Sequence, residues 1–251
     1  MKIIENRHEE IIYYEIGLFN EAKVNHLFTS RIGWGENELE KLSKIFNVPK
    51  TNIVGLTQVH GTDIISIDKG ISGEENVHNL IGDGLVTNMP NLVLITYHAD
   101  CVPIYFYDRR NKVVGLAHGG WKGTYGNISG KMIDLMVNKY DSKLEDILVG
   151  IGPSIGPCCY EIGRDLACNF ANRFNDFDGI VEERGNKIYL DLWKINYLQI
   201  KDKGVLDDNI AITEACTACH SDKFYSYRKE RGTKNRMMAA IGLTSDFGGL
   251  I

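Results

Sequence analysis

Three short segments carry side chains that could act on a substrate together: TQVHG with His60, HADC with Cys101, and GLAHGGWKG with His118. They lie 41 and 17 residues apart, so no compact finger motif joins them and only the fold can bring them together. Two imidazoles and a thiolate suit zinc in tetrahedral geometry. Three protein donors leave the fourth position for water or substrate, which is the catalytic pattern, whereas a structural site is closed. The same residues also permit a metal-free site, with Cys101 as nucleophile and His118 or His60 as its base. Against both readings stands the plain one, that a histidine beside glycines is a satisfied turn residue. In an extended segment Asp100 points away from Cys101 and reads as a hydrogen-bond acceptor behind it. His98 falls about 6 to 7 Å along the strand, on the face away from Cys101, and reads as packing or substrate-facing. Asp83, in GDG, has the form of a turn aspartate.

Other reactive residues are weighed the same way. CTACH at Cys216–His220 has the spacing of covalent haem attachment, which occurs outside the cytoplasm, and the first residues, MKIIENRHEE, lack the apolar centre of an export signal. Cys158 and Cys159 could join Cys216 and Cys219 around a second zinc, but adjacent cysteines seldom ligate one metal, and packing of thiols is the expectation. SYRKERGTKNR carries five positive charges from Arg228 to Arg236 in a chain of net charge -5. Within it Lys229, Glu230 and Lys234 read as solvated, whereas Arg228, beside an aromatic run, is a candidate to bind phosphate bidentately. Lys122, with the backbone amides of GGWKG, is a second phosphate candidate. GGWKGT is not a P-loop, because its glycine follows the lysine, and GIGPSIG lacks the dinucleotide-binding spacing.

The elements that must position these residues are legible in part. Val54–Val59, Asp63–Ile67, Leu92–Tyr97, Val102–Tyr107, Val113–His118, Ile147–Ile151, Ile210–Thr213 and Met238–Leu243 read as strands, several of them buried on both faces. The glycine clusters GDG, GLAHGGWKG and GIGPSIG mark strand ends. Helical faces recur in Ile128, Met132, Leu135 and Met136, in Leu166, Phe170 and Phe174, and in Leu192, Ile195 and Leu198. The order does not alternate strictly, so the expected fold is α/β (α+β): mixed sheets with helices packed outside, in one domain over residues 1–251.

Composition narrows the class further. With 43% hydrophobic and 24% charged residues the chain has enough apolar material for a large core, which excludes collagen-like and disordered classes. A net charge of -5 argues against a general nucleic-acid coat. No uncharged apolar run approaches the roughly 18 residues of a membrane span. The expected location is the cytoplasm, where the six cysteines serve as thiols or ligands.

In this order, TQVHG, GDGLVTN, ADCVPIYFYD, GLAHGGWKGT, IGPSIGPCCYEIG, DLWKINYLQI and FYSYRKERG resemble the polyphenol oxidase or laccase-domain family, regarded as zinc-dependent purine nucleoside phosphorylases. The resemblance implies a cysteine-hydrolase-like fold and His60, Cys101 and His118 as zinc ligands and catalytic residues. It also implies purine nucleosides and phosphate as the small-molecule partners, with phosphorolysis of adenosine, inosine and methylthioadenosine and deamination of adenosine. It adds Asp83 to Arg228 and Lys122 as substrate-binding candidates, since GDGLVT belongs to the family pattern. Two segments depart from that pattern: FTSRIGWGENELEKL lacks the double glycine after the arginine, and ERGTKNR replaces the TGR ending of the basic loop. A four-copper laccase needs about ten histidines, largely in His-x-His pairs; this chain has seven and no such pair. Amide hydrolysis by zinc or Cys101, as in peptidoglycan-precursor editing, is the alternative activity, and a zinc-bearing binding module without catalysis is a third.

Overall fold

The computed structural model describes residues 3–68 and 80–244. The chain's apolar runs are mostly too long to be buried on one face only, and they resolve into two six-stranded sheets lying face to face. The first has the order β1 (Ile3–His8), β2 (Ile11–Ile16), β3 (Asn25–Thr29), β15 (Met237–Gly242), β7 (Val93–His98), β4 (Ile53–Val54). The second runs β14 (Ile210–Ile212), β10 (Ile147–Ile151), β8 (Val102–Asp108), β9 (Val113–Gly119), β6 (Gly84–Thr87), β5 (Ile64–Ile67). Both are mixed: β4 pairs parallel with β7, β5 with β6 and β10 with β14, and the other pairings are antiparallel. A small antiparallel sheet of β11 (Glu161–Ile162), β13 (Lys187–Leu190) and β12 (Val181–Arg184) lies beside them.

Side-chain alternation sorts these strands into layers. Tyr105 and Tyr107 of β8, Val114 and Leu116 of β9, Leu94 of β7 and Met237, Ala239 and Ile241 of β15 share one core between the sheets. The opposite faces meet helices. Ile104 and Phe106 pack with Met132, Ile133 and Met136 of α4 (Ile128–Tyr140) and Leu192 and Ile195 of α6 (Leu192–Asp202). Ile95 and Ala240 pack with Leu42, Ile45 and Phe46 of α2 (Glu38–Phe46). Each large side chain buried in this way contributes about 1.5–3 kcal/mol. Local signals agree with the layers: the Asn127 side chain caps α4 by accepting from Gly130 N, and Asp191 caps α6 by accepting from Lys194 N. The remaining helices are α1 (Gly17–Glu21), α3 (Trp121–Tyr125) and α5 (Arg164–Arg173).

The mixed α/β architecture with outer helices is the one the sequence leads to. The N-terminal elements β1 to β3, α1 and α2 were not legible there, nor were β6 and the β12–β13 hairpin. One expected strand is shorter than its apolar run suggests. Only Ile53–Val54 pair with β7, and residues 55 to 63 form a loop that carries His60 from the first sheet to the second.

Candidate metal and substrate site

The chain crosses between the sheets twice in the region of interest, and each crossing carries one reactive residue. His60 lies on the connection from β4 to β5, and Cys101 on the tight turn from β7 to β8. His118 is the penultimate residue of β9, paired with Pro103 of β8. The even positions of β9 face the space between the sheets, as Val114 and Leu116 do, so His118 points to the end of that layer. The donor atoms of His60, Cys101 and His118 lie within 4.8 Å of one another. The two imidazole rings stand edge to face at 4.9 Å.

Asp83 organises this cluster. It is fully buried, and its Oδ1 accepts from His60 N at 2.9 Å and from His118 Nδ1 at 2.8 Å. Its Oδ2 accepts from Gly61 N at 2.6 Å and from Val59 N at 3.3 Å. With Nδ1 of His118 held by a carboxylate, Nε2 is the nitrogen left for the cluster. The Asp83 carbonyl also accepts from His118 N. His60 is exposed and has φ +60, yet the loop bearing it is fixed, because the Gln58 amide exchanges two hydrogen bonds with the Tyr97 backbone. Gly120 has a reason to be glycine: a Cβ there would stand 3.2 Å from Cys101 Sγ and 3.3 Å from His60 Cδ2.

The electrostatics follow from the geometry. Burial pushes the Cys101 thiol up, but the His118 and His60 imidazoles that hydrogen-bond it outweigh burial and bring it down to about 6. Burial works against the charged form of His118, yet the Cys101 sulfur and the Asp83 carboxylate raise it to about 9. Asp83 itself is held below the usual carboxylate range, its burial offset by His118 and the Gly61 and His60 amides. Without a metal the site is therefore a thiolate–imidazolium pair at neutral pH, suited either to capture a divalent cation or to act as a nucleophile.

Asp100 and His98 need a geometric correction. Asp100 has φ +84, so the segment from His98 to Cys101 turns and is not extended. The two residues flank a crossing between sheets rather than sharing a strand. His98 is buried, with Nδ1 at 3.0 Å from the Cys101 carbonyl and Nε2 at 2.7 Å from Thr96 Oγ1, and its ring packs 5.2 Å from that of His118. Asp100 accepts from Thr217 Oγ1 and from Arg228 N, both at 2.7 Å, and so ties the Cys101 turn to the basic loop.

The cluster opens into a cavity of about 620 Å³, within the size range of small-molecule sites. Arg228 lines it, held by a bond from its Nη1 to the Glu161 carbonyl and stacked 5.1 Å from the Tyr160 ring. Arg236, Trp121, Tyr160 and Tyr227 line it too, and sequence reading did not single them out, although YSYR and CCYE placed aromatic residues beside candidates already named. Trp121 and Tyr227 are 39% and 55% exposed, which leaves apolar rings facing solvent at the cavity mouth. Neither Asp83 nor Lys122 lines the cavity. Asp83 lies behind the cluster, and the exposed Lys122 sits with Nζ 5.6 Å from the Trp121 ring centre.

Fold and site together define a mixed α/β protein with a histidine–cysteine cluster capable of holding a metal at the base of a basic, aromatic cleft. Residues 35–244 match the family described as multi-copper polyphenol oxidoreductase laccase, and the chain belongs to that family. It is 36% identical over 212 residues to "Purine nucleoside phosphorylase YlmD" of Geobacillus stearothermophilus, covering 82% of this chain and 77% of that one. It is 37% identical over 206 residues to "Purine nucleoside phosphorylase SERP0752" of Staphylococcus epidermidis, covering 80% and 76%. The crystal structure of YlmD from Geobacillus stearothermophilus superposes with a TM-score of 0.85 at 31% identity, over 96% of this chain and 99% of that one.

The family's description speaks of several coppers. Among the described residues, candidate ligands gather in two groups only, the His60–Cys101–His118 cluster and four cysteines described below. His26 is spent in the core, where it accepts from Ile16 N at 2.8 Å and lies 3.0 Å from the Val24 carbonyl. Among the described residues no helix is long and apolar enough to cross a membrane.

Proposed function

We propose that the chain is a purine nucleoside phosphorylase that uses zinc held by His60, Cys101 and His118. Its substrates are adenosine, inosine and methylthioadenosine with phosphate, and it carries an accompanying adenosine deaminase activity. The observation that supports this reading most is the convergence of two nitrogens and one sulfur, with no fourth donor in their group among the described residues, on a cavity walled by arginines and aromatic rings. The donor set fits zinc, which takes nitrogen and thiolate ligands and keeps an open position in catalytic sites. Bound there, zinc supplies Lewis-acid chemistry and the activation of water that deamination at C6 requires.

The protein's own groups do the rest. In phosphorolysis the C1'–N9 bond breaks as positive charge develops on the sugar, so the anionic co-substrate must lie under the ribose and the departing base must be stabilised. Arg228 and Arg236 are the cationic groups of the cavity, and the planar fork of Arg228, steadied on Tyr160, suits a phosphate. Tyr227 and Trp121 offer flat apolar faces for a purine. His118, held by Asp83 at Nδ1, presents Nε2 as a ligand for the metal and so serves the site by orientation rather than as a proton carrier. Lys122 lies outside the cavity wall and supports binding only by its charge near the rim.

The test is phosphate dependence. Purified protein should release adenine and ribose 1-phosphate from adenosine only when phosphate is added, and Cys101→Ala should lose both the metal and the activity. Turnover of an amide substrate by metal-free protein, abolished by alkylating Cys101, would replace this reading with a cysteine hydrolase. Metal retention with no turnover of either substrate class would leave a binding module.

A further inference from the structure

The second ligand group shares no residue with the cluster that the proposed reaction uses. The Sγ atoms of Cys158, Cys159, Cys216 and Cys219 are all within 4.8 Å of one another, and Cys219 stands 3.4 Å from both Cys158 and Cys159. All four are free thiols. A tetrahedral tetrathiolate with metal–sulfur bonds of about 2.3 Å has sulfur–sulfur edges of about 3.8 Å, which is the scale of this group.

Adjacent cysteines argue against a shared metal only where the chain is extended, because alternation then sends them to opposite sides. Here it is not extended. Cys159 N and Tyr160 N both donate to the Gly156 carbonyl, which closes a tight turn, and both sulfurs emerge toward Cys219. The partner arm is also a turn: His220 N donates to the Cys216 carbonyl, which brings the two cysteines of C-T-A-C to one side. Gly156 N donates to Cys216 Sγ at 3.3 Å, the kind of bond that supports a thiolate.

Simple thiol packing does not account for the group. Cys158 and Cys219 are exposed, so apolar burial is not what gathers them. Neither arm belongs to a six-stranded sheet. Their strand-like pairing is one isolated bridge, Ser154 to Cys216, with the bonds Ser154 N to Ala215 O and Thr217 N to Ser154 O. One disulfide would engage two sulfurs and leave two others idle at the same point.

We propose that Cys158, Cys159, Cys216 and Cys219 bind one zinc ion in a closed, structural site. Binding releases the thiol protons to solvent and involves no oxidation. The ion fastens together two arms that shape the substrate cavity. One carries Ile155 and Tyr160, and the other reaches Arg228 through the Thr217–Asp100–Arg228 contacts. Four thiolates fill the coordination sphere, so the site has no place for substrate.

The test uses the full-length Cys101→Ala variant prepared with zinc, because it disables the other cluster. Native mass spectrometry should find one zinc per chain. Of its five remaining thiols, the exposed Cys168 should react at once with a disulfide reagent and the other four only after a strong chelator is added. Cys219→Ala should lose this zinc while keeping any held through Cys101, so failure of the catalytic reading and failure of this one give different counts. Wild-type protein loaded with cobalt(II) should show the visible bands of a tetrathiolate, a signature independent of whether either variant folds. A Cys101→Ala protein without zinc, five thiols reacting alike before chelation, iron in place of zinc, a disulfide within the group, or cobalt protein lacking those bands would each overturn the proposal.

Discussion

Replacing Asp83 with asparagine removes one charge and turns one acceptor into a donor, at a place where four N–H groups converge on two oxygens. Neither amide orientation satisfies them. If the NH2 takes the Oδ2 position it faces the N–H groups of Gly61 and Val59, and two part-buried donors lose their partner, at up to about 1–3 kcal/mol each. If it takes the Oδ1 position it faces His60 N, and His118 must turn its Nδ1 into an acceptor. The ring proton then moves to Nε2, the nitrogen that would meet the metal. The first outcome releases the His60 loop, and the second blocks His118. Since about 1.4 kcal/mol is tenfold, Asp83→Asn should weaken metal binding at least tenfold and up to about a hundredfold, the range typical of partners behind a ligand. Zinc affinity measured by chelator competition, with circular dichroism to verify the fold, checks this. A folded variant that binds zinc as tightly as the parent would refute the role assigned to Asp83.

Because the metal-free Cys101–His118 pair keeps one proton between about pH 6 and about pH 9, metal binding must expel it, and affinity should rise about tenfold per pH unit across that window. Below about pH 6 both groups are protonated, so the slope should steepen; calorimetry in buffers of different ionisation heat measures the proton count, and a pH-independent affinity would contradict the pair. Arg228→Ala should raise the KM for phosphate about ten- to hundredfold with little change in thermal stability, and Arg228→Lys should restore only part of it, because an ammonium lacks the planar fork; steady-state kinetics with varied phosphate decides. Gly120→Ala places a methyl against Cys101 and His60, so it should weaken metal binding about tenfold while the melting temperature stays close to that of the parent; unchanged affinity would show that the cluster has slack.

The interior was the readable part of the fold. β8 and β9 are buried at every position, and a strand covered on both faces shows as an unbroken apolar run. α4 was visible because Ile128, Met132 and Met136 keep helical spacing over more than two turns. The edges were not readable: β1 reads IIENRH and β12 reads VEER, where charge on the solvent side masks alternation. At the site, residue types pointed to His60, Cys101 and His118, but strand geometry misplaced what surrounds them. His60 sits in a loop held by Asp83, by the Tyr97 backbone through Gln58 and by the bridge from Thr57 to Ile81, and Asp100 has the left-handed backbone that breaks the expected extension. Such effects depend on partners more than 20 residues away. The four cysteines illustrate the same gap, since their adjacency counts against a shared ion until the turn after Gly156 is known.

The central claim is that two nitrogens and one sulfur hold a divalent cation that keeps one corner open. Diffraction from crystals of the zinc-loaded protein, recorded on both sides of the zinc absorption edge, addresses it directly. An anomalous peak about 2.0–2.1 Å from nitrogens of His60 and His118 and about 2.3 Å from Cys101 Sγ, with no protein atom in the fourth position, is the predicted result. Absence of a peak there, or a fourth protein donor closing the site, would contradict it.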